Sequence, residues 1–238
     1  MNFLDLCQKA ITWSDTGHAG QITETNQSIA PVFQSQVIDF VREAWREIQQ
    51  ERAWGWMIEP VSFYSVEDKE EYAWNEALDE DGNRVIESFT DWYWKSDEPW
   101  YVDRNNEGTE VSENYLTCVR WQRFRNVYIH GLRSQKGIPQ LFSISHKNNV
   151  WLHPKPKGAY KITGQYHRGA QELSENGDTP YGIPEQYHPI IAWKAVMKLH
   201  EIDEKYGAMQ VAERRYKQYW YNLAKIYLDP IRFARPIA

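Results

Sequence analysis

Hydrophobic positions recur with a helical period near both ends of the chain and alternate with a period of two between them. In and just before the run FVREAWREIQQERAWGWM, Val37, Ile38, Phe40, Val41, Ala44, Trp45 and Ile48 fall within an arc of about 160° on a helical wheel, with Asp39, Arg42, Glu43, Arg46 and Gln50 opposite. Each large side chain that such a stripe buries contributes about 1.5–3 kcal/mol. The i,i+3 pairs Asp39/Arg42 and Glu43/Arg46 add only ~0.2–0.5 kcal/mol each, so the stripe decides. Pro31 suits a first helical turn and Gly55 follows the last periodic position, which predicts a helix from about 31 to 53 with Trp54 and Trp56 at its exit. A shorter helix precedes it, because Phe3, Leu4, Leu6, Cys7, Ala10 and Ile11 share one face before SDTGHAG breaks the period.

Towards the other end, IIAWKAVMKLHEIDEKYG carries Ile191, Ala192, Ala195, Val196, Leu199, Ile202 and Tyr206 on a broad apolar side. Lys194, Lys198, Glu201 and Lys205 form a narrow charged stripe opposite, so this helix is expected to be covered on more than one side. Gly207 is placed to stop it in a left-handed cap. After it, Met209, Ala212, Tyr216, Tyr219, Trp220, Leu223, Ile226 and Tyr227 cluster within about 120°, and Pro230 ends the last helix.

Between the helices, AYKITGQYHR alternates Tyr160, Ile162, Gly164 and Tyr166 against Lys161, Thr163, Gln165 and His167, a strand with one face buried. PVSFYSV, YLTCVRW, PQLFSIS and NVWLHP read as further short strands. The expected fold is α+β: a bundle built from N- and C-terminal helices with an inserted β-rich, sandwich-like or barrel-like domain. Its divisions are residues 1–56 and 171–230 as a discontinuous helical domain, 57–170 as the insertion with an acidic loop at 66–113, and 231–238 as a C-terminal arm.

Composition adds two facts. Trp (12) and Tyr (15) are heavily used, which suits either an aromatic core or a protein that also packs against partners. Charge is uneven. Residues Val66 to Glu113 hold 16 acidic against 4 basic side chains, a charge of −12; the remainder holds 23 basic against 17 acidic, +6, for a net −6. Cys7 and Cys118 match no metal or redox spacing. The start MNFLDLCQKAITW lacks the apolar core of an export signal and no run approaches eighteen apolar residues, which predicts a soluble chain that is not exported.

Motifs with chemical content are few. LHEIDE supplies His200 but not the second histidine of a His-Glu-x-x-His zinc motif; with Glu204 one turn on, a helix-surface histidine is the plainer reading. Trp74, Trp92, Trp94 and Trp100 lie among the acidic residues, the combination of aromatic platforms and paired carboxylates used in glycoside hydrolysis. RWQRFRNVYIHGLRSQKG sets Arg120, Arg123, Arg125, Arg133 and Lys136 among Trp121, Phe124 and Tyr128, suited to a single strand of nucleic acid or to a strand pair with an aromatic inner and basic outer face. No metal or cofactor is expected. In the tail DPIRFARPIA, Phe233 and Ile237 favour an arm that orders against a partner over a frayed end.

The order of these elements resembles the head-to-tail adaptor (connector) proteins of short-tailed bacteriophages. MNFLDLCQKA, a Gly/Thr linker and VIDFVREAWREIQQERAWGWM carry the likeness at the start. VRWQRFRNVYIHG, LHPKPKGAYKITGQYHRGAQEL, DTPYGIPEQYHPIIAWKAVM and the closing aromatic helix follow in matching order over most of residues 3 to 229. The resemblance implies a virion structural protein of the neck, assembled in the host cytoplasm and without enzymatic activity. Copies form a dodecameric ring under the portal protein, extend the DNA channel and offer a platform for tail proteins. It also implies a C-terminal segment that reaches the portal, here Ile231, Arg232, Phe233 and Arg235.

A closed ring joins one side of each subunit to the other side of its neighbour. Trp54, Trp56 and Trp220 are candidates for that interface, as are Arg123 and Arg125 facing an acidic neighbour. Glu76, Asp79, Glu80 and Asp81 are candidates to face the channel, where negative charge lets double-stranded DNA slide past without sticking. A tail-associated glycoside hydrolase and a nucleic-acid-binding protein stand as the other readings.

Overall fold

The computed structural model describes residues 1–14, 32–78, 86, 88–95, 98–104, 113–131 and 135–228. The chain divides into two compact units, one formed by Met1–Met57 with Ala170–Ala238 and the other by Ile58–Gly169. Five helices and a curled, half-barrel sheet make it a mixed α/β protein.

The first unit contains α1 (Phe3–Ser14), α2 (Val32–Glu51), α4 (Pro189–Ile202) and α5 (Tyr206–Tyr227). Phe3, Leu6, Cys7, Ala10 and Ile11 of α1 and Val37, Ile38, Val41, Ala44, Trp45 and Ile48 of α2 are buried in one core. That core also takes Ile190, Ile191, Ala192, Ala195, Val196 and Leu199 of α4 and Ala212, Tyr216 and Leu223 of α5. α4 is the central helix, touching α1, α2 and α5. Its broad apolar side is therefore covered within the unit, and only its end stays open, Ile202 being 57% exposed.

Much of the polar pairing in this unit is tertiary: Arg42 Nε donates to the Leu173 carbonyl at 2.8 Å, Arg46 pairs with Glu172 at 2.9 Å, and Glu43 meets Lys198 at 3.0 Å. Lys194 and Lys198 together reach Glu43, Glu47 and Glu51 across the α2–α4 boundary. The stop between α4 and α5 differs from expectation. Glu204, at φ 54, supplies the left-handed residue, the Lys205 amide reaches back to the His200 carbonyl at 2.9 Å, and Gly207 lies inside α5.

The second unit is built on β10 (Lys161–Arg168), whose Ile162, Gly164 and Tyr166 are buried and whose intervening residues are half-buried. Along one edge lies β1 (Ile58–Tyr64), antiparallel, with Ile58 opposite His167 and Tyr64 opposite Lys161. Along the other lie β3 (Phe89–Tyr93) and β4 (Trp100–Asp103). The sheet continues through β5 (Glu113–Cys118), β7 (Leu141–Ile144), β8 (Val150–His153) and β2 (Glu71–Tyr72). A separate parallel pair joins β6 (Lys136–Gly137) to β9 (Lys155–Pro156).

Two expectations are corrected here. The acidic stretch is not one loop, since it contributes β2, β3 and β4. Two of its four tryptophans go inward, Trp92 at 5% and Trp100 at 0% exposure, their indole N–H groups donating to the carbonyls of Asn148 and Tyr93. The basic stretch is not a strand pair. α3 (Trp121–Phe124) passes into a π-helical turn over Arg125–Ile129, forming the crossover that parallel strands β5 and β7 require.

Candidate functional site

Trp54 and Trp56 stack at 4.4 Å between ring centroids and are 0% and 7% exposed. The Trp54 indole donates to the Ile48 carbonyl at 2.5 Å, and Tyr227 meets Trp56 edge-on. Neither ring is spare surface: at the end of α2 the chain turns back on its own core, which consumes both. Trp220 differs, being only partly buried, with its edge towards Trp54 at 6.1 Å.

Arg123 and Arg125 are exposed on the α3 turn. Phe124 between them points inward at 1% exposure, and Tyr128, one turn on, lies half-buried 4.7 Å from the His153 ring. A helical i, i+3, i+7 spacing of Trp121, Phe124 and Tyr128 puts all three on one face, a signal already present in the sequence. Stacking on nucleobases is thus closed to Phe124, and Lys136 is held by Asp68 at 2.6 Å.

Glu76 is half-exposed and ion-paired with Lys69, so its charge is locally offset. Asp79, Glu80 and Asp81, and the arm residues Ile231, Arg232, Phe233 and Arg235, lie outside the described residues.

Glycosidase chemistry loses its aromatic platform. Of the four tryptophans considered, Trp92 and Trp100 are core, and Trp74 stacks on Phe89 at 5.4 Å. Trp94 does open onto a cavity of about 510 Å³, but its other lining residues are Pro99, Tyr101, Tyr115, Leu116, Thr117 and Cys118, with no carboxylate among them. His200 is buried at 4% rather than on the helix surface, burial lowers its pKa, and Glu204 has left the helix. Among the described residues no cluster of His, Cys, Asp or Glu has the geometry of a metal site. No described helix is long and apolar enough to cross a membrane.

What the first unit does expose is much of the circumference of α5, with Tyr221 opposite the core stripe of Ala212, Tyr216 and Leu223 and other apolar side chains on its flanks. Tyr206, Val211, Tyr221 and Ile226 are 66%, 53%, 58% and 55% exposed. Arg214, Arg215, Lys217 and Lys225 stand among them, with Lys225 lying 4.5 Å over the Tyr221 ring. Ile226 was expected in the core stripe but falls at its margin. A groove of about 520 Å³ opens between this helix and α1 and α4. It is floored by Trp13 and Trp193, stacked at 4.4 Å and 14° from parallel.

Among the described residues, the first unit combines a largely closed core with a last helix that carries exposed apolar and cationic side chains. The family described as SU10 adaptor protein matches residues 1–234, and the chain belongs to it. It is a phage structural adaptor family, not a known class of enzyme. No curated protein matches the chain.

Proposed function

We propose that the protein is a head-to-tail adaptor of the virion neck, forming a dodecameric ring under the portal protein. The ring extends the DNA channel and docks tail proteins. Family membership supports the class, and one observation carries the assembly: α5 spends one side on the core yet leaves Tyr206, Val211, Tyr221 and Ile226 in water. Large apolar side chains left in water around one helix offer surface that neighbours on more than one side can cover, and a closed ring uses two different sides of each subunit.

Trp220 and the cations of α5 belong to this contact. Arg123 and Arg125 are proposed to face an acidic neighbour, and Ile231, Arg232, Phe233 and Arg235 to reach the portal. Glu76, Asp79, Glu80 and Asp81 are proposed to repel the phosphate backbone of passing DNA. Neutralising these four should impair packaging, retention or ejection.

The central test mixes the chain with its portal and images the product. Wild-type protein should give rings. Tyr221→Glu combined with Ile226→Glu should block them while leaving the urea midpoint of the free chain unchanged. Undiminished assembly by that variant, or by Arg123→Glu with Arg125→Glu, removes the corresponding contact.

A further inference from the structure

The groove between α1, α4 and α5 has a definite chemical character. Lys9 and Arg215 line it together with Trp13, Trp193, Val211 and Tyr219, and among the described lining residues there is no carboxylate. The Lys9 ammonium sits 5.6 Å over Trp13 and 2.9 Å from the Met1 sulfur. Neither Lys9 nor Arg215 makes an ion pair with a described carboxylate. α5 itself holds four cations against Glu213 alone, and Glu213 is occupied by Lys217 at 2.6 Å. The indole pair is only half-buried, so the groove offers an apolar floor together with two cations.

We propose that this groove receives an acidic peptide segment of a partner protein. Its carboxylates meet Lys9 and Arg215, and one aromatic or long aliphatic side chain lies on the Trp13–Trp193 pair. Charge complementarity selects the sign of the ligand, and the stacked indoles provide the flat apolar anchor found at the centre of contact sites. A peptide fits better than a nucleic acid. Duplex DNA is a rod of evenly spaced phosphates that calls for a track of cations, whereas the described lining of this groove holds two, Lys9 and Arg215.

The test uses the full chain alone, without portal, so that its outcome is separate from ring assembly. Fluorescence anisotropy with a labelled glutamate-rich peptide containing a central tryptophan should show saturable binding. Arg215→Glu and Lys9→Glu should each weaken it about tenfold, and added salt should weaken it further. Val211→Asp, which puts a carboxylate on the exposed rim, should act in the same direction, and Arg215→Lys should retain part of the affinity. Circular dichroism and the urea midpoint should not change in the Arg215 variants. Absence of saturable binding, binding indifferent to the charge reversals, equal binding of a lysine-rich counterpart, or displacement of the peptide by duplex DNA of equal charge would each overturn the proposal.

Discussion

Trp100 lies flat against the backbone of Gly164, so close that a Cβ on the glycine would overlap the indole six-membered ring. The two residues are the inner layer of β4 and β10, and the Trp100 ring stacks on Phe142 at 4.7 Å behind them. The first unit repeats the device. Gly182, at φ 75, is pressed by Trp56, whose Cδ1 would stand 2.7 Å from an added Cβ.

Gly164→Ala should therefore destabilise the second unit by about 1–3 kcal/mol, the usual cost of overpacking. Gly182→Ala should destabilise the first, both by collision with Trp56 and by the left-handed backbone. Gly158→Ala and Gly177→Ala, where an added Cβ meets nothing within 4 Å, are the controls and should leave urea midpoints nearly unmoved.

The Lys194 and Lys198 ladder should make stability fall in acid. Partial burial raises the Glu47 pKa, but hydrogen bonds and charge from Lys198 and Lys194 outweigh it and hold the carboxyl below its ordinary value. The folded state thus favours the ionised form. Its stabilisation is complete above the unfolded carboxylate pKa and disappears as pH drops through the lower folded value. Thermal melts across the acid range should show a shallower decline in Glu47→Gln than in wild type.

Tyr216→Phe should lower stability by about 0.5–1.5 kcal/mol, the net worth of a hydrogen bond. The Tyr216 hydroxyl donates to Glu51 at 2.7 Å, and burial together with this carboxylate pushes the phenol pKa up. The ring stays in place in the variant, so the change in urea midpoint reads the hydroxyl alone.

Cys7 and Cys118 should separate under alkylation. Cys7 is 0% exposed in the helical core, and burial raises its thiol pKa to about 12. Cys118, only partly buried on β5, is raised to about 11. Iodoacetamide near neutral pH should label Cys118 slowly and Cys7 only after denaturation, with mass spectrometry of peptides as the readout.

The helices were legible because their stability comes from a periodic apolar stripe that hydropathy alone displays: Val32–Glu51 occupies the span expected from about 31 to 53. The alternation of β10 was legible for the same reason. The strands inside the acidic stretch were hidden because Asp91 and Glu98 are exposed among the few buried residues Trp92, Tyr93, Trp100 and Val102, and Asp103 is itself buried, so charge does not mark the outer face there. α3 left only the i, i+3, i+7 spacing of Trp121, Phe124 and Tyr128 as its signal, and its short run, continued by a π-helical segment, holds too few apolar positions to outweigh the strand reading. The fates of Trp54 and Trp56 turn on a chain reversal after Glu51, and no local pattern encodes whether a ring at a helix exit folds inward. The groove is assembled from α1, α4 and α5, whose lining residues are remote in sequence, so neither its shape nor its missing carboxylates could be read beforehand.

Because Ile58 stands opposite His167 across β1 and β10, the polypeptide departs towards the sheet and comes back at nearly one point. The first and last strands of the second unit are thus laced to each other over their length, so both ends of that unit are tied by the ladder of a single strand pair.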